Sequence, residues 1–157
     1  MSSSTAATAP ALRRWFGPSS GAPTSLTIKF AGVQENGLVL GVGAGFRYGG
    51  RFATSLSIHA DYLFHVATLI RQSQIALTAY VGPGLWLSIF GDGYGFGVIQ
   101  PYLFNSLIGV GVRMPLGLSM SFSGAPIEVY LELDPAIFVF PGIDFGVGAS
   151  LGFRWHF

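Results

Sequence analysis

From Asp144 to Phe157 the chain alternates without a slip between apolar residues and small or charged ones. Phe145, Val147, Ala149, Leu151, Phe153, Trp155 and Phe157 fall on one face of an extended strand. Asp144, Gly146, Gly148, Ser150, Gly152, Arg154 and His156 fall on the other. Successive side chains of a strand point to opposite faces, so this segment has one wholly apolar side and one that is small or charged. The same two-residue period recurs upstream. Leu26, Ile28 and Phe30 oppose Ser25, Thr27 and Lys29. Leu40, Val42, Ala44 and Phe46 oppose Gly41, Gly43, Gly45 and Arg47. Leu56, Ile58, Ala60, Tyr62 and Phe64 oppose Ser55, Ser57, His59 and Asp61. Three further runs, through Ile75–Ser88, Ile108–Ser121 and Ile127–Asp134, complete seven clearly read strands.

In each strand the charges keep off the apolar face. Lys29, Arg47, Asp61, Arg113, Glu128, Glu132, Asp134, Asp144 and Arg154 all obey this rule. An Arg or Lys on the lipid face of a barrel at mid-membrane costs roughly 2–4 kcal/mol, and a one-residue slip would expose a strand's whole polar set. A physical penalty of that size explains why there is no exception.

Composition decides which side faces what. Charged residues make up 10% of the 157 residues, half are hydrophobic and 23 are glycine. A water-soluble barrel would place its charged face outside, and this one, mostly Gly and Ser with one or two charges per strand, is a poor solvent surface. It suits a narrow, polar, filled interior. No apolar run is long enough for a spanning helix, so the expected fold is all-β: an antiparallel up-and-down transmembrane β-barrel, of eight strands because such single-chain barrels have an even count. Its solvent is then outer-membrane lipid. A net charge of +1 without a basic tract argues against nucleic acid as a partner, and the absence of cysteine removes thiol chemistry and Cys-based metal sites.

Residues 1–23 read as a low-complexity Ser/Thr/Ala/Pro-rich tail that has to hold the eighth strand, around Ala11–Gly17; residues 24–157 form the barrel. MSSSTAATAPALRRWFG lacks the basic start and apolar core of a secretory signal peptide. Gln34–Gly37, Gly49–Gly50, Ser123–Pro126 and Pro141–Gly142 carry turn chemistry. Pro83, Pro115 and Pro135 each remove a ladder donor and are expected at bulges. Beyond Pro135 the alternation would send Phe138 and Phe140 inward.

Four groups of residues carry the functional expectations. Lys29, Arg47, His59, Asp61, Arg113, Glu128, Glu132, Asp134, Asp144 and Arg154 form an internal charge network, because buried charges must be paired. Glycines opposite them leave room for Tyr80, Trp86, Arg113 and Tyr130. The outward aromatics Phe30, Tyr62, Phe64, Phe122, Phe153, Trp155 and Phe157 cluster at one end as an interfacial girdle, with Phe46, Tyr48 and Phe145 at the other. The segment Gly91–Ser106 is too apolar for a plain solvated loop. Its Tyr94, Phe96, Tyr102 and Phe104 either pack over the barrel mouth or present a surface to an extracellular protein partner. Ser57, His59 and Asp61 share one strand face, but same-face neighbours lie about 6.7 Å apart along a strand, unlike a converging triad. No enzyme, cofactor or metal is expected, since the three histidines have no ligand spacing.

The blocks ADYLFH (60–65), VRMPLGLSMSF (112–122), IEVYLELDPAI (127–137) and LGFRWHF (151–157) resemble a family of small bacterial outer-membrane barrels, OmpA/OmpX-like in size. The resemblance implies an eight-stranded barrel in the bacterial outer membrane. It also implies an aromatic assembly signal at Phe153, Trp155 and Phe157, read by barrel-assembly machinery by strand pairing. A side-chain-filled interior with a structural or partner-binding role is the favoured function; a narrow ion or small-solute channel is the alternative.

Overall fold

The computed structural model describes residues 13–21, 23–32, 36–46, 54–90, 108–140 and 142–157; of Gly45, Phe46, Thr54, Ser55, Phe90 and Asp144 it describes the backbone alone. Ten strands follow in chain order: β1 (Arg13–Gly21), β2 (Thr24–Ala31), β3 (Gly37–Phe46), β4 (Thr54–Arg71), β5 (Ile75–Val81), β6 (Gly84–Phe90), β7 (Ile108–Arg113), β8 (Leu116–Phe122), β9 (Ala125–Phe140) and β10 (Asp144–His156). β5 with β6, and β7 with β8, each make one wall of the barrel, so all ten form an antiparallel up-and-down ring of eight. The ring closes where β1 pairs with β10, through Phe16↔Trp155, Ser19↔Gly152 and Ser20↔Leu151. Closure leaves no edge along the ring for another chain to extend.

The eighth wall therefore lies at Arg13–Gly21, inside the segment that composition marks as a tail. Its alternation is real but thinly written. Trp15, Gly17 and Ser19 are buried, whereas Phe16, Pro18 and Ser20 are exposed. Glycine and serine on the inner parity and proline on the outer one conceal the strand from a hydrophobic pattern.

The prolines do something other than bulge. Pro83 and Pro115 end β5 and β7 locally, yet the register runs straight through: Asp61 pairs with Gly84 and Phe64 with Val81, three residues further along both strands. Neighbouring amides use the proline carbonyls instead, with Tyr62 N donating to Pro83 O at 2.9 Å, Gly82 N to Pro115 O at 3.1 Å and Met114 N to Pro135 O at 2.9 Å. The prolines thus stand in one transverse row over three adjacent walls, and no residue is inserted. Register shifts fall elsewhere, at His65/Ala67 and Thr68/Ile70 in β4, Val110/Gly111 in β7 and Ser121/Phe122 in β8.

Outside, the barrel is apolar: Leu26, Leu85, Leu131, Val147 and Phe153 are among many large side chains left exposed. Inside, Val39, Leu63, Tyr80 and Tyr130 form a small apolar cluster among buried polar groups. The two ends differ. At the near end β1 starts and β10 finishes, beside the turns joining β2 to β3, β4 to β5 and β8 to β9. The far end carries the longer connections 47–53 and 91–107, which lie outside the described residues.

Candidate functional site: the interior charge clusters and the near-end mouth

Alternation turns Asp61 of β4, Arg113 of β7 and Glu132 and Asp134 of β9 to the inside at mid-barrel. Arg113 joins them. Its Nε donates to Asp61 Oδ1 and its Nη2 to Asp61 Oδ2, both at 2.7 Å, a bidentate fork suited to a planar guanidinium. The same Nη2 reaches Glu132 Oε1 at 3.3 Å, and Nη1 stands 3.6 Å from Asp134 Oδ1. Tyr80 donates its hydroxyl to the other Glu132 oxygen at 2.8 Å. Toward the far end Trp86 lies beneath Arg113, with 5.6 Å between guanidinium carbon and ring centre, and Phe138 packs 5.5 Å from Trp86. Phe138 thus follows the alternation inward; Phe140 is 52% exposed.

A second cluster lies nearer the other end. Lys29 Nζ donates to Glu128 Oε1 at 2.9 Å and comes within 3.5 Å of His65 Nε2. Arg154 Nη1 stands 3.6 Å from Glu128 Oε2, its Nε donates to Thr27 Oγ1 at 3.2 Å, and its guanidinium stacks 3.8 Å from the Tyr130 ring centre. Two cations share one carboxylate here, whereas at mid-barrel three carboxylates share one cation.

Space for these large groups comes from glycine on the facing strand. A methyl group at Gly152 would overlap the Tyr130 ring, and one at Gly117 would overlap that of Tyr80. Between the clusters remains a space of about 10 Å³ bordered by His59, Arg113, Tyr130, Asp134 and Arg154, room for no more than one water.

Of the residues expected in the network, Lys29, Asp61, Arg113, Glu128, Glu132, Asp134 and Arg154 are brought together in these two clusters, all buried. His59 is buried beside them, with Nε2 3.8 Å from Asp61 Oδ2. Ser57 does not join His59: its hydroxyl donates to the Gly43 carbonyl at 3.3 Å. Arg47, Tyr48 and the segment bearing Tyr94, Phe96, Tyr102 and Phe104 lie outside the described residues, as do the side chains of Phe46 and Asp144. Phe153, Trp155 and Phe157 are exposed on the outward face, at 48%, 49% and 68%. Tyr62 and Phe64 are outward as well, their rings 4.9 Å apart edge to face. Phe16 joins them from β1. Phe122, at a register shift, borders the near-end mouth.

That mouth is the part that sequence reasoning missed. It is a vestibule of about 710 Å³ bordered by the near ends of β1, β4, β8, β9 and β10. Arg13 and Trp15 are two apart on β1, the one signal that could have placed both at an inner rim, but the strand had to be located first.

The fold and this interior define a closed eight-stranded antiparallel barrel with an apolar exterior and buried charges. Among solved structures the chain is similar to Ail, the attachment invasion locus protein of Yersinia pestis, with a TM-score of 0.40 and 12% identity, over 96% of this chain and 100% of that one. No protein-family profile and no curated protein sequence matches the chain.

Proposed function

We propose that the chain is an integral protein of a bacterial outer membrane, with an interior filled by its own side chains and a structural or partner-binding role. The inversion of its two faces carries this reading. Leucine, valine and phenylalanine face outward around the ring, while Lys29, Asp61, Arg113 and Arg154 are almost wholly buried within. In water that arrangement would leave most of the exterior apolar; in a bilayer it places each group in its preferred solvent. Strand lengths suffice: β1 has nine residues and β3 ten, within the ~9–11 that a tilted strand needs to cross, and β10 with thirteen exceeds it.

The filled interior favours a plug over a channel, because the space between the clusters holds no more than one water. Refolded protein in a planar bilayer is therefore expected to show no steady conductance. Stable channels abolished by neutral substitution of Arg113 or Glu132 would overturn the plug in favour of the channel. A monodisperse soluble monomer without detergent would overturn the membrane assignment. In the same reading Phe153, Trp155 and Phe157 serve as the assembly signal; unchanged insertion rates by barrel-assembly machinery after their replacement by alanine would remove that role. Tyr94, Phe96, Tyr102 and Phe104 present the partner surface, a role lost if deleting Tyr94–Phe104 leaves partner binding at the cell surface intact.

A further inference from the structure

The near-end vestibule differs in charge from the rest of the interior. Arg13, Arg71 and His156 border it, and none of the described side chains that line it is acidic. Neither Arg13 nor Arg71 has an ion-pair partner among the described residues, and both are exposed at the rim. The layer beneath cannot neutralise them, because Lys29 and Arg154 already share Glu128 there. Spare carboxylates lie at mid-barrel, where Asp61, Glu132 and Asp134 surround Arg113. Among the described residues the charge is therefore polarised along the axis, with the cationic end open.

The walls also offer more than charge. Gln72, Ser121 and Ser123 add neutral side chains able to donate hydrogen bonds. Trp15 forms an aromatic floor, held by His156 at 4.8 Å between ring centres and by Lys29 at 5.9 Å. Phe122 stands on the mouth's border. A volume of about 710 Å³ is too large for a bare ion and falls within the ~300–1,000 Å³ of small-molecule sites.

We propose that this vestibule binds a phosphate-bearing molecule, its phosphate held by Arg13 and Arg71 and its apolar portion resting on Trp15 and Phe122. Guanidinium groups engage phosphate oxygens through paired N–H donors, which favours a multi-oxygen anion over a halide. The phosphate belongs either to a lipid headgroup at the membrane surface or to a soluble phosphate ester; both present the same chemistry to the rim. The proposal goes beyond the filled-barrel reading and does not depend on the absence of conductance.

The test uses the full chain refolded in dodecyl maltoside, a detergent without phosphate. Phenyl phosphate represents the soluble source, dihexanoyl phosphatidic acid below its micellar concentration the lipid source, and phenol the uncharged control. Calorimetric titration is expected to show binding of at least one phosphate probe and none of phenol. The tighter probe identifies the source. The double variant Arg13→Gln/Arg71→Gln is expected to weaken that binding about tenfold or more. Both side chains are exposed and outside the buried clusters, so the variant should unfold at the same urea concentration as the wild type. The wild-type Trp15 indole resonance should move on titration. Absence of binding by both phosphate probes, equal binding of phenol, or unchanged affinity in a folded double variant would each overturn the proposal.

Discussion

Arg113 shows how much of this barrel depends on a single side chain. It is the one cation that Asp61, Glu132 and Asp134 share among the described residues, and neither carboxylate oxygen of Asp134 accepts a hydrogen bond there. Removing one partner of a buried charge cluster strands the others, which typically costs ~3–5 kcal/mol. Arg113→Ala is therefore expected to be destabilised by about that amount in urea unfolding of the lipid-embedded protein. Asp61→Asn/Arg113→Gln, which removes both charges of the tightest pair, should lose less. A different residue-scale dependence runs through Gly152. Its missing side chain makes way for the Tyr130 ring, on which Arg154 stacks. Gly152→Val should cost ~1–3 kcal/mol through overpacking, and adding Tyr130→Ala should relieve part of that cost. Additive losses in the double variant would show that the two positions do not meet.

Among the elements, β9 displays the alternation best. Glu128, Tyr130, Glu132 and Asp134 are buried, whereas Leu131 and Leu133 are each 53% exposed. Exposure of those leucines is an advantage only in lipid. Leu131→Lys should therefore cost ~2–4 kcal/mol in a bilayer, measured by reversible unfolding from vesicles. A soluble barrel would tolerate the same change with little loss. β1 teaches the complementary lesson. Apolar periodicity reveals a strand through the contrast of its two faces, and Gly17, Pro18, Ser19 and Ser20 offer almost none. Tertiary context supplies what local pattern lacks, since β2 on one side and β10 on the other hold the segment by backbone pairing. The proline row has a related explanation. A missing donor need not force a bulge when the adjacent strand can use the proline carbonyl, and pairing across strands is invisible in a single sequence.

For the molecule as a whole, closure is the decisive property. Ser20 and Leu151 face each other across the β1–β10 seam, with the outward parity of their strands. The chain contains no cysteine, so Ser20→Cys/Leu151→Cys gives an unambiguous readout. Facing residues on adjacent strands have Cβ atoms about 4.5–5.5 Å apart, close enough for a disulfide after small adjustment. Mild oxidation of the folded barrel is expected to cross-link the pair in high yield, seen as a mobility shift on non-reducing gels. A yield no higher than that of the urea-unfolded chain would show an open seam.

Alternation, low charge and the restriction of charges to one parity determined an all-β chain with an apolar and a polar face. They also assigned Lys29, Asp61, Arg113, Glu128, Glu132, Asp134 and Arg154 to the same side. That much is local, because a strand's period is fixed by its own backbone. Which charge meets which was decided only by tertiary structure. Arg113 is bound to Asp61, 52 residues away, and Arg154 to Thr27, 127 residues away, because ring closure and strand stagger bring distant positions to one level. The same stagger placed Arg13, Arg71 and His156 around one mouth. Alternation alone puts His156 on the inner face, but Arg13 sits in a strand that hydrophobic pattern conceals and Arg71 beyond two register shifts of β4. The height at which each stands follows from register, a property of pairs of strands.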